Sequence, residues 1–335
     1  MQQFGVRRDE KCLSRLMEFQ GAAGKFDVQV YLPIAELPVN MLLILGMGMA
    51  VGFISGMFGI GGGFLMTPLL IFIGIPPAVS VATISSQIAA SSLTGALAYW
   101  RRRALDIRLG LVLLTGGLAG TYLGVLFFNA MRRVGQLETV IVLSYVALLG
   151  TIGLLMLVES LRAILASKRG KPARRRMAGR HAWYEGLPLK MRFHRSGLYV
   201  SIIPLLVMSL AIGFAGAVLG IGGGFILVPA LIYIFRVPAA IVVGTSLFQT
   251  LFSMLAATIL HATTNHSVDI VLAVLLIVGG VFGAQFGARA GAQLRGEYFR
   301  LLLAVLVFGV GLRFAFDVFT VPREPFSVTA TETSR

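Results

Sequence analysis

A single cysteine, Cys12, stands among 335 residues, so no intramolecular disulfide can form and no cysteine-based metal site is expected. Histidine is almost as scarce. His181, His194, His261 and His266 do not have the spacing of a metal-ligand cluster, and no nucleophile, base and orienting acid recur together. An enzyme is therefore not expected, and no cofactor is implied. The phosphate cradle GxxxxGK[ST] is missing, which argues against an ATP-driven pump. Charge is also thin: 13% of residues are charged, against roughly 25% in an ordinary soluble domain. The first 39 residues mix both signs of charge and lack the apolar core of about 7 to 15 residues that a cleavable leader needs.

Apolar residues fill the remainder, at 57% of the chain. The stretches 40–58, 78–100, 109–129, 139–161, 198–219, 241–261, 269–290 and 299–319 each approach the ~20 residues that cross a bilayer as a helix. Two more, 64–75 and 225–236, are apolar for only about 12 residues, or ~18 Å of helix, and are expected to be half-helices. The expected fold is an all-α polytopic membrane protein, and its surroundings are the lipid bilayer.

The net charge of +15 is local. Residues 167–197 carry ten Lys or Arg against the single acid Glu185, which is +9. Basic density of this kind beside spans marks a cytoplasmic segment facing anionic lipid, so no nucleic-acid partner is expected. Arg101, Arg102, Arg103 and Arg108 lie two crossings earlier and should share that side.

The loop joins two related halves. A shift of 161 places Gly52-Phe53 on Gly213-Phe214, Gly59-Ile60-Gly61-Gly62-Gly63-Phe64 on Gly220-Ile221-Gly222-Gly223-Gly224-Phe225, and Pro68 on Pro229. At 162, Thr83, Gln87 and Ser91 fall on Thr245, Gln249 and Ser253; at 163, Asp106 and glycines 116, 117, 120 and 124 fall on Asp269 and glycines 279, 280, 283 and 287. Duplicated halves are a common plan of secondary transporters. The chain divides into an N-terminal extension (1–39), a first repeat (40–161), a basic loop (162–197), a second repeat (198–320) and a tail (321–335). A half-helix that re-enters gives eight full spans and parallel halves. One that crosses gives ten spans and inverted halves. Its short length favours the first plan, while the charges of the second half favour inversion.

Non-helical backbone at membrane depth survives only where it is buried in protein or lines a wet cavity. A helix starting at such a break presents unpaired N–H groups and about half a positive charge. Gly61, Gly62, Gly63 and Phe64, with Gly222, Gly223, Gly224 and Phe225, therefore offer two anion cradles that glycine leaves open to a ligand. Thr83 and Gln87 share one helix face, as do Thr245 and Gln249, and with Ser246 they add neutral donors that solvate an anion without trapping it. The four-residue spacing of Gly116, Gly120 and Gly124, and of Gly283, Gly287 and Gly291, signals close helix packing instead. Asp106, Asp269, Glu138, His261 and Arg289 fall towards span ends, where an interfacial role is expected.

The doubled motif, "GMFGIGGGFLMTPLL" with "AVLGIGGGFILVPAL", followed by "ATISSQ" and "GTSLFQ", resembles the TauE/SafE sulfite exporter family over roughly residues 40–320. The resemblance implies a secondary transporter of small sulfur-containing anions, sulfite or an organosulfonate, across the inner membrane of a bacterium. A proton or sodium ion would be the coupling partner; the oligomeric state stays open. An anion channel lined by the same donors, or a structural or sensory membrane protein, is the alternative.

Overall fold

The computed structural model describes residues 29–58, 62–168, 189–193, 198–235, 237, 239–291 and 296–319. A hairpin of β1 (Gln29–Leu32) and β2 (Leu37–Asn40) leads into α1 (Met41–Phe58), the short α2 (Gly63–Phe72), α3 (Pro77–Arg101), α4 (Ile107–Val134) and α5 (Leu137–Lys168). The order then repeats. A second hairpin, β3 (Lys190–Phe193) and β4 (Leu198–Ser201), precedes α6 (Ile202–Leu219), the short α7 (Gly224–Tyr233), α8 (Ala239–Asn265), α9 (Ile270–Gly291) and α10 (Gly296–Phe319).

Local chemistry sets the boundaries. Proline cannot donate to a preceding turn, and Pro77 sits where that donor is not needed, in the first turn of α3. Asp106 caps α4 by accepting from the Leu109 N–H at 3.3 Å. That helix ends at Gly135, whose N–H bonds the Arg132 carbonyl while the next N–H, of Gln136, bonds that of Met131. Pro68 and Pro229 lie inside α2 and α7, each ten residues long, and help keep them short.

Packing interleaves the halves. On α1, Gly48, Gly52 and Gly56 lie in turn against Leu276, Gly280 and Ala284 of α9, so those helices run in the same direction. On α4, Gly120 meets Leu210 and Gly124 meets Phe214 of α6, again in parallel. A Cβ on Gly52 would stand 2.7 Å from the Gly280 Cα, so the α1–α9 contact is backbone against backbone. Gly120, Gly124, Gly283 and Gly287 all abut the neighbouring backbone, as their spacing implied.

Equivalent helices run in opposite directions. Gly95 of α3 meets Leu247 while Tyr99 meets Gly244, so α3 and α8 are antiparallel. Gly153 meets Phe308 and Gly311 meets Leu149, which makes α5 and α10 antiparallel as well. Gly62 lies back against Ser55 and Val51 of α1, and Gly63 against Ile88 of α3. Both short helices therefore fold back from a break inside the bundle.

Among the described residues, five helices are long and apolar enough to cross a membrane by length and composition: those at Ile107–Val134, Leu137–Val158, Ile202–Leu219, Ile241–Asn265 and Ile270–Gly287. Met41–Met57, Gly63–Phe72 and Ala304–Phe316 are shorter apolar helices. The central α3 is less hydrophobic because it carries Ser80, Thr83, Ser85, Gln87 and Ser92, all of them buried against protein.

Candidate functional site

The two breaks meet in the middle of the bundle. Phe64 and Phe225, one residue into α2 and α7, stack with ring centroids 4.2 Å apart and an interplanar angle of 12°. Both rings are buried. The N-terminal ends of the two short helices, each with a partial positive charge, therefore converge across this ring pair. Ile88 covers both breaks, because a Cβ on Gly222 would stand 2.7 Å from its Cγ2 and one on Gly63 would collide with its Cδ1.

Left-handed backbone makes the turns. Gly62 has φ +44° and Gly223 φ +72°, a region that side-chain-bearing residues rarely adopt. Gly61 lies outside the described residues. Side chains reach three carbonyls of the second break: Tyr145 donates its hydroxyl to the Leu219 carbonyl, His261 Nε2 lies 3.2 Å from the Ala217 carbonyl, and Thr67 Oγ1 lies 3.5 Å from the Gly220 carbonyl. Side chains from α5, α8 and α2 thus satisfy backbone that helix geometry has released. Gly224 begins its helix with an N–H that bonds the Gly222 carbonyl at 2.8 Å.

Gln87 and Gln249 occupy equivalent places beside the breaks. In the first half, a Cβ on Gly280 would stand 2.6 Å from Gln87 Nε2, Gly280 rests on Gly52, and the neighbouring Val51 lies 3.3 Å from where a Gly62 Cβ would be. In the second half, Gly117 abuts Gln249 and rests on Gly213, and the neighbouring Ile212 would meet a Gly223 Cβ at 2.7 Å. Each amide is thus linked to a break through two close-packed glycines. Gln249 Nε2 donates to Ser253 Oγ at 3.0 Å. The Oε1 atoms of Gln87 and Gln249 are buried without a hydrogen-bond partner among the described residues, as is the hydroxyl of Thr250. A buried polar atom of this kind calls for a water, an ion or a ligand.

Thr83 and Thr245 are engaged elsewhere. Thr83 Oγ1 accepts from the Asp269 N–H at 3.0 Å, and Thr245 Oγ1 accepts from the Asp106 N–H at 3.2 Å while donating to the Ile241 carbonyl at 2.8 Å. Ser246 donates to the Val243 carbonyl at 2.9 Å. The hydroxyl protons of Thr245 and Ser246 are therefore committed to the backbone of their own helix.

Sequence reasoning set Asp106, Asp269 and His261 towards span ends in an interfacial role, and the aspartates do stand at helix starts. All three are buried, since the aspartates cap α4 and α9 and His261 bonds through both ring nitrogens, its Nδ1 lying 3.0 Å from Asn265 Nδ2. The aspartates were legible in principle: each directly precedes an apolar run, the place of an N-cap. Tyr145 and Thr67 had no such signal. Among the described residues no group of three or more His, Cys, Asp or Glu could hold a metal ion.

A duplicated helical bundle with two buried, converging helix breaks and several membrane-length apolar helices is a multi-pass membrane protein of the transporter class. The chain belongs to the sulfite exporter TauE/SafE family, whose description it matches over residues 44–314. It is 26% identical over 273 residues to "Probable membrane transporter protein YjnA" of Bacillus subtilis, covering 81% of this chain and 98% of that one. A "Probable membrane transporter protein" of Xylella fastidiosa is 29% identical over 247 residues, 72% of this chain and 81% of that one. "Sulfite exporter TauE/SafE family protein 1" of Arabidopsis thaliana is 45% identical over only 60 residues, 18% of this chain and 13% of its own. No solved structure matches the chain.

Proposed function

We propose that this protein is a secondary transporter that carries a small sulfur-containing anion, sulfite or an organosulfonate, across the cytoplasmic membrane. The observation that carries this reading is the convergence of two helix N-termini at Phe64 and Phe225, flanked by the equivalent buried amides of Gln87 and Gln249. The anion would sit against Gly62–Phe64 and Gly222–Phe225, with the Nε2 amides of Gln87 and Gln249 as side-chain donors; their unpaired Oε1 atoms only accept and would face water or a coupling cation instead. Thr83, Thr245 and Ser246 line the same helices and shape the approach. Neutral donors and partial dipole charges bind modestly, which suits a carrier that must release its cargo.

The same reading gives the topology. Each half contributes five segments, and because equivalent helices are antiparallel the halves are inverted, with the short helices completing ten segments in all. Arg101–Arg103 at the end of α3, Arg108 at the start of α4, the basic loop after α5, Arg289 near the end of α9 and Arg300 at the start of α10 then share one end of the bundle. The positive-inside rule places that end in the cytoplasm and the N-terminal hairpin outside.

The test is uptake into proteoliposomes of radiolabelled sulfite and of a sulfonate, under imposed proton or sodium gradients. Saturable flux with counterflow of label supports a carrier, whereas saturable flux without counterflow assigns a channel. Flux of neither anion beside robust flux of a cation or neutral solute overturns the proposal.

A further inference from the structure

We infer that the Thr83–Asp269 and Thr245–Asp106 pairs are two latches, one at each end of the bundle, that open in turn to expose the central site to one side and then the other. The inference rests on reading the chain as a carrier, but its test needs no substrate.

Each pair joins the two halves. Thr83 lies on α3 of the first half and holds the first residue before α9 of the second; Thr245 lies on α8 of the second half and holds the first residue before α4 of the first. The pairs are equivalent under the internal repeat, and all four residues are buried. They lie at opposite ends: Asp106 opens α4 next to Thr245, while Arg132 in the last turn of α4 bonds the Asn265 carbonyl at 2.9 Å, four residues before Asp269. On the antiparallel α3 and α8, Gly95 faces Leu247, so Thr83 and Thr245 stand about fourteen residues of helix apart, roughly 20 Å along the bundle.

Each aspartate makes the contact a junction. Asp269 accepts the Leu272 N–H on Oδ1 at 3.1 Å, which starts α9, and the Ile34 N–H on Oδ2 at 3.0 Å, which fastens the tip of the β1–β2 hairpin over that end. Asp106 accepts the Leu109 N–H in the same manner. Within a half, α3 follows the broken helix directly, and α8 follows the other. Parting Thr83 from Asp269 therefore frees the first break towards one face, and parting Thr245 from Asp106 frees the second towards the opposite face. In this structure both latches are closed and the Phe64–Phe225 pair is buried between them, which is the occluded arrangement. Equivalent contacts in inverted halves exchange roles between the two access states.

The equivalence predicts a change of opposite sign, which general destabilisation cannot produce. Ser80 and Val242, three residues before each threonine, are fully buried reporters. In a Cys12→Ser background, Ser80→Cys and Val242→Cys are introduced separately, and maleimide labelling rates are measured on purified full-length protein in nanodiscs. Thr83→Ala leaves the Asp269 N–H without its acceptor; it should raise labelling at position 80 about tenfold and lower it at position 242. Thr245→Ala should do the reverse, and Thr→Ser at either place should restore the parent rates. Parallel increases at both reporters, or no change at either, overturn the latches. Opposed changes in a protein without sulfite or sulfonate flux would keep the latches and remove the substrate assignment.

Discussion

The central site should prefer an anion with one charge over an anion with two. Each short helix contributes the equivalent of about +0.5 at its N-terminus, so the pair offsets about one negative charge. Among the described residues no lysine or arginine is buried, so nothing there balances a second charge. The second charge would leave water without a partner, which costs several kcal/mol, roughly a hundredfold to a thousandfold in occupancy. Sulfite titrates between hydrogensulfite and the dianion in the neutral range, whereas an alkanesulfonate keeps one charge throughout. Flux of both into proteoliposomes should be measured below saturation, with the same pH on both faces. Sulfite flux should fall towards tenfold per pH unit once the dianion dominates, while alkanesulfonate flux stays level. Sulfite flux that holds steady or rises over that range, together with sulfate carried as fast as the sulfonate, would refute the charge argument.

Gly62→Leu and Gly223→Leu place a branched side chain on left-handed backbone at the breaks, and should abolish flux while leaving membrane insertion measurable by fractionation; unchanged flux in both returns the motif to packing. Gly213→Ala, whose Cβ would stand 3.0 Å from the Gly117 Cα, should destabilise the protein by about 1–3 kcal/mol in a thermal melt. Gly46→Ala, with nothing within 4 Å, should be nearly neutral in the same melt. With Cys12→Ser and a single Ala173→Cys in the basic loop, an impermeant maleimide should fail to label intact cells, and labelling would reverse the orientation.

Much of this architecture could be read from residue order. Eight long apolar stretches and two short ones anticipated ten helices, because a lipid-facing helix must be greasy along its length and the glycine runs interrupt it at matching places. The stripe at Gly116, Gly120 and Gly124 announced a close contact, although not its partner, since periodicity says which face is small and nothing about what lies against it. That α1 packs on α9 of the other half had no local signal. The amides Gln87 and Gln249 stood out because polar groups are scarce in lipid. Thr83 and Thr245 were equally visible, yet their bonds to Asp269 and Asp106 span 186 and 139 residues, a separation that only the fold closes.

The exchange of first helices between halves bears on how the chain is made. In α1, Gly48, Gly52 and Gly56 are completed by α9, whose first residue is synthesised 229 residues after Met41 (270 − 41). At about 5 to 20 residues per second, α1 waits on the order of 10 to 50 s in the bilayer with its glycine seam facing lipid. Its backbone bonds are all internal, so the wait is tolerable, but the first half has no finished form of its own. Ribosomes that stop after residue 168 would release a fragment whose α1 and α4 both lack partners, a ready target for membrane proteases. Assembly is therefore held back until nearly the last helix emerges, and two separately expressed halves should survive only when present together.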